Sequence, residues 1–97
     1  MAAGKSDRKA SEDAAAMLAI AALTFIAEEP ERLGRFLALT GIGPESLRDA
    51  ARDQGFLLGV LEYVAGDETL LMAFAARHDI DPEVIGHACN VLAGEAS

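Results

Sequence analysis

Apolar and polar positions along this chain repeat with helical spacing almost throughout. Leu57, Val60, Leu61 and Val64 stand at i, i+3, i+4 and i+7, which places them on one face of a helix that turns every 3.6 residues. The same reading groups Leu33, Phe36 and Leu37; Leu47, Ala50 and Ala51; Leu70, Leu71, Phe74 and Ala75; and Ile85, Ala88, Cys89 and Leu92. The first apolar segment behaves differently. Met17, Leu18, Ile20, Leu23, Phe25 and Ile26 surround their axis, so a helix from residue 12 to about residue 28 is expected to be buried on most sides and to form the centre of the fold. No segment alternates with period two for long enough to be a strand, and there is no Asn-Gly or Asp-Gly hairpin signal. The expected fold is all-α, a single compact bundle of about six short helices packed around the N-terminal one. Residues 1–11, "MAAGKSDRKAS", show no periodicity and are expected to be a flexible tail, leaving 12–97 as one α-helical domain.

Helix boundaries follow from local chemistry. Ser11 ahead of Glu12 and Asp13 is an expected N-cap, because carboxylates suit the positive end of a helix dipole. Pro30 suits a first helical position, where its missing N–H costs nothing. Gly41 closes that helix, Asp53 and Asp67 cap the next two long ones, Gly66 is expected in the left-handed conformation, and Gly94 ends the last helix. "IGPESL" and "IDPEVI" share a layout in which Ile42 and Leu47, or Ile80 and Ile85, occupy the positions of a hydrophobic staple around Gly43 and Asp81. Gly34, Gly59 and Gly86 fall inside helices at a cost of about 1 kcal/mol each relative to alanine, which points to close helix approach there.

Charge narrows the function. The chain has 16 acidic and 8 basic side chains, a net charge of -8, and outside the first thirteen residues the balance is still strongly acidic. Such a surface repels phosphate backbones and anionic lipid. Cys89 is the single cysteine, so no internal disulfide calls for an oxidising compartment and a cytoplasmic location is expected. Lys5, Arg8 and Lys9 before the apolar run Ala14–Ala27 imitate a secretory signal, but Glu12 and Asp13 interrupt it and Phe25 stands where a cleavage site wants a small residue. Counted from Ala14, that run is also shorter than the roughly 20 residues that span a bilayer.

Two places could carry chemistry. The Gly-Ile-Gly-Pro turn within residues 41–48 resembles the phosphate-gripping hairpin of DNA-binding helix-hairpin-helix units, whose backbone N–H groups hold a phosphate beside a basic side chain. Glu45 stands there instead, and Arg48 and Arg52 have Glu45 and Asp49 one helical turn before them, so helix punctuation is the favoured reading. His78, Asp79, Asp81, His87 and Cys89 gather ligand-type side chains. A metal needs three or four to converge, whereas His87 and Cys89 lie about 200° apart around a helix. Turn, cap and core roles account for this group, just as helix-end positions account for Glu28/Glu29 and Asp67/Glu68. Ser46 has no histidine near it in sequence, and Tyr63 reads as a helix-face residue. No catalytic, cofactor-binding or metal residue is assigned, and no cofactor is expected.

The stretches "EPERLGRFLALTG" and "GDETLL", set within a segment from about Ala15 to Ala88, resemble a family of small alphaproteobacterial proteins known only as a domain of unknown function. The resemblance implies a small bacterial cytoplasmic protein and carries over no activity. The expected function is a non-enzymatic protein-interaction domain with a protein partner or a second copy, and with neither nucleic acid nor membrane as its target. The alternatives are nucleic-acid binding through residues 41–48 and a metal or enzyme site around His78 and His87.

Overall fold

A computed structural model describes the backbone of residues 3–94 and the side-chain burial of residues 9–94. Among the described residues six α-helices follow one another: α1 (Ala3–Ala27), α2 (Pro30–Thr40), α3 (Leu47–Ala50), α4 (Gln54–Ala65), α5 (Glu68–His78) and α6 (Pro82–Leu92), with a 3₁₀ turn, Pro44–Ser46, leading into α3. No strand occurs among the described residues. The chain is an all-α bundle. Its 47 Å long axis reflects α1, whose 25 residues reach roughly 37 Å at about 1.5 Å rise per residue.

Helices α1, α4 and α6 pack against one another and enclose the core, while α2 lies against α1 and α5 against α4 and α6. Helix α1 supplies mainly small side chains, Ala15, Ala19 and Ala22, with Phe25 and Ile26 nearer its C-terminal end. Helix α4 buries Leu57, Val60, Leu61 and Val64, the four positions its spacing selects, and α6 buries Ile85, Ala88, Val91 and Leu92. Phe36 of α2 meets the rings of Phe56 at 6.0 Å and Tyr63 at 5.1 Å. Phe74 of α5 meets Phe25 at 5.5 Å. With no tryptophan in the chain, these tilted and edge-on aromatic contacts supply the large contact areas that aliphatic side chains alone would not.

Polar contacts fasten the ends of this assembly. Gln54 Nε2 donates to the Leu92 carbonyl at 2.9 Å, tying the start of α4 to the end of α6. Arg77 donates both Nη atoms to the Glu28 carboxylate at 2.8 and 2.9 Å, clamping α5 to the turn after α1. Arg32 lies over the Phe25 ring, 4.6 Å from its centroid, and donates to the Phe25 carbonyl at 3.3 Å.

The caps follow the local chemistry. Asp53, Asp67 and Asp81 accept from the backbone N–H groups of Gly55, Leu70 and Glu83. Gly41 adopts the left-handed conformation at φ 73°, and Gly94 does so beyond α6 at φ 78°. Ile80 packs against the core and Ile85 is fully buried, while Ile42 and Leu47 are each half-buried.

Four expectations require correction. Helix α1 begins at Ala3, so Ser11 lies within it and caps nothing; alanine, lysine and arginine there propagate a helix at little cost. Met1 and Ala2 lie outside the described residues. Helix α1 is also not buried on most sides, because Met17 is 71% and Ile20 46% exposed. Gly66 stays right-handed at φ -82°, while Asp79 takes the left-handed position after α5 at φ 54°, a role that aspartate tolerates better than most side chains. Gly34, Gly59 and Gly86 do not mark close helix contacts, since a Cβ built on any of them would meet nothing within 4 Å.

The last correction sets a measurable expectation. Replacing Gly34, Gly59 or Gly86 by alanine should raise stability in urea denaturation by about 0.4–1 kcal/mol each, because the unfolded chain loses freedom and the helix gains a better former. A loss of stability would mean that the fold holds a contact at that position.

Candidate functional site

At the Gly-Ile-Gly-Pro turn, Gly43 is extended (φ -78°, ψ 154°) and the Ser46 N–H donates to its carbonyl at 2.9 Å. The Glu45 side chain folds back over Gly43, so that a Cβ on that glycine would lie 2.7 Å from its carboxylate oxygen. A carboxylate therefore occupies the space above the turn that a phosphate would need, and like charge opposes the exchange. Arg48 and Arg52 are both exposed. Among the described residues the ion pairs are Arg32 with Glu29 and Arg77 with Glu28, so Arg48 and Arg52 are not paired with the Glu45 and Asp49 that stand three residues before them.

The histidine-rich end is dispersed. His78 is exposed at the C-terminus of α5, with its ring 4.7 Å from that of Phe74. Asp79 forms the left-handed cap, and Asp81 is engaged with the Glu83 N–H at 2.9 Å. His87 faces an outer cleft, whereas Cys89 is half-buried against the core. No group of three His, Cys, Asp or Glu side chains converges among the described residues. Burial pushes the Cys89 thiol above its ordinary pKa, and the neighbouring Glu62 carboxylate pushes it further the same way; a raised pKa keeps the sulfur protonated and poorly nucleophilic at neutral pH.

The surface feature that stands apart is apolar. A cleft of about 180 Å³ runs between α1 and α6, floored by Ala15, Ala88 and Val91 and edged by Ser11, Ala14, Leu18, Val84 and His87. It is below the roughly 300–1,000 Å³ of small-molecule pockets, and its floor carries no ionisable group. Val84 on its edge is 43% exposed. Met17 follows Ala14 by one helical turn and Ile20 follows Met17 by another, so apolar surface continues from the cleft around α1. The sequence pattern missed this site because most of its lining is alanine, valine and leucine, which read equally well as core.

Helix α1 has one further property. Its stretch Lys9–Ala27 is long and apolar enough to cross a membrane by length and composition, with mean hydropathy 1.5, a correction to the count that began at Ala14. In the fold 28% of that stretch is buried, and Ala15, Ala19, Ala22, Phe25 and Ile26 of it belong to the shared core.

The Cys89 environment yields a pH prediction. The rate of alkylation by iodoacetamide should rise with pH along a curve whose midpoint lies above that of a free thiol, and Glu62→Gln should move the midpoint down. An upward move, or none, would remove Glu62 from the surroundings of the sulfur.

Residues 12–95 match the family described as protein of unknown function (DUF3572). Searches of curated proteins and of solved structures found no match. With 12–95 spanning the helical bundle from within α1 to beyond the end of α6, the chain belongs to the DUF3572 family.

Proposed function

We infer that this protein is a small, acidic, non-enzymatic interaction domain that acts in the cytoplasm by docking a protein partner on the outer face of α1 and the adjoining cleft. The observation that carries this reading is the outward placement of large apolar side chains on a helix that had the means to bury them: Met17 is 71% and Ile20 46% exposed while the alanines of the same helix form the core. Full burial of such a side chain is worth about 1.5–3 kcal/mol, so the exposed parts of Met17 and Ile20 forfeit a share of that, and covering them in a complex recovers it. Methionine also adapts readily to a partner's contour. The single cysteine and the acidic surface support the compartment, and the Glu45 carboxylate over the Gly43 turn supports leaving nucleic acid out.

The test compares wild type with the Met17→Asp/Ile20→Asp double variant in two assays, sedimentation over a concentration series and affinity capture from the native cell. Both side chains are exposed, so the variant should keep the helical circular dichroism and melting behaviour of wild type. It should lose either self-association or a protein that wild type retains. A wild-type chain that stays monomeric and retains the same proteins as the variant would contradict the reading.

A further inference from the structure

We propose that the outer face of α1 binds a second copy of this chain, the two α1 helices lying antiparallel about a two-fold axis that passes between Met17 and Ile20. This rests on the interaction reading above and names its partner. Ala10, Asp13, Met17, Ile20, Thr24 and Ala27 are all exposed, and they recur at alternating intervals of three and four residues, the spacing of a coiled-coil seam. They lie on the side of the helix opposite the buried Ala15, Ala19, Ala22 and Ile26. From Ala14 to Ala27 no side chain is charged, although only 28% of Lys9–Ala27 is buried. Thr24 adds little polarity to the face, because its hydroxyl donates to the Ile20 carbonyl at 3.0 Å.

The seam complements itself in one orientation. With the axis between Met17 and Ile20, Met17 packs on Ile20 of the second copy, Asp13 meets Thr24 and Ala10 meets Ala27. All six positions then find a counterpart, and no carboxylate faces its own copy. A parallel pair would set Asp13 on Asp13, a like-charge juxtaposition that disfavours that alignment. One polar position in an apolar seam selects an orientation in this way. Ala14, Ala16 and Ala21 beside the seam are small, and small side chains shorten the distance between packed helices. A bilayer would have to take up Asp13, which stands on the same face one turn from Met17, and an intramembrane carboxylate is costly. The seam is about 26 Å long at 1.5 Å per residue, modest beside the roughly 800 Å² per partner of a standard interface, so the dimer is reversible.

The first test locates the contact. In the full chain carrying Cys89→Ala, Ala10→Cys and Ala27→Cys proteins are mixed, oxidised in air and read by mass spectrometry. A disulfide needs Cα atoms within about 7 Å, so the mixture should give a heterodimer joining position 10 to position 27, and neither protein alone should couple comparably. The second test keeps Cys89 and uses sedimentation equilibrium. Wild type should show a dimer at roughly micromolar concentration. Thr24→Asp sets a carboxylate against Asp13 of the second copy and should weaken the dimer about tenfold or more, and adding Asp13→Lys should restore it. Those two positions are about three turns apart on one helix, so only a second copy lets one correct the other.

A wild-type chain that stays monomeric at roughly millimolar concentration would overturn the proposal. So would Ala10→Cys coupling to itself as readily as to Ala27→Cys, a Thr24→Asp defect that Asp13→Lys leaves in place, or flotation of a monomeric chain with phosphatidylglycerol vesicles that Met17→Asp/Ile20→Asp abolishes. If wild type is monomeric while Met17→Asp/Ile20→Asp still sheds a cellular partner, the second copy falls and the interaction reading survives.

Discussion

Everything in this fold depends on the close approach that small side chains allow between α1 and the pair α4 and α6. Ala15, Ala19, Ala22 and Ile26 recur at four- and three-residue intervals, so they form a single stripe along the helix. Where that stripe carries methyl groups, the opposing Val60, Leu61, Val64 and Ile85 supply the bulk, and all four are completely buried. Packing of large against small is how interiors reach their density without strained rotamers. Two aromatic groups, Phe25 with Phe74 and Phe36 with Phe56 and Tyr63, then attach α5 and α2 to this three-helix centre.

The same constraint produces the surface. An apolar helix that buries its alanines must turn Met17 and Ile20 elsewhere, because side chains on opposite faces of one helix cannot share a seam. The cleft has the same origin, since Ala14, Ala15 and Ala88 leave room between α1 and α6 that larger residues would have closed. Exposed apolar surface and core are thus two outcomes of one distribution of side-chain size.

Much of the architecture was legible in the sequence. Five of the six helices stand where periodicity and punctuation place them, because Asp53, Asp67, Asp81, Pro30 and Gly41 act through their own backbone neighbourhoods and need no tertiary information. The four inward positions of α4 were equally plain, since they recur at i, i+3, i+4 and i+7 with Gly55, Gly59 and Glu62 on the opposite side. Helix α1 was harder. Its ring of apolar residues has no polar reference face, and hydrophobicity alone does not say that alanine outranks methionine for the interior when neighbouring helices need proximity. Its start at Ala3 was hidden because good helix formers without apolar periodicity look like a tail. Gly66 and Asp79 exchanged expected roles through the paths of their turns, which composition does not encode. The candidate surface escaped for a related reason: a groove lies between two helices distant in sequence, and Ala14 and Val84 have no local feature that pairs them.

The account is tested most directly by adding volume to the α1 seam and comparing it with the same helix's outer face. Urea denaturation of Ala19→Leu should show a loss of about 1–3 kcal/mol from overpacking, while Met17→Leu, on the exposed side, should stay within about 0.5 kcal/mol of wild type. A neutral or stabilising Ala19→Leu would mean that α1 does not dock through its alanines, and the origin assigned to the exposed apolar surface would be wrong.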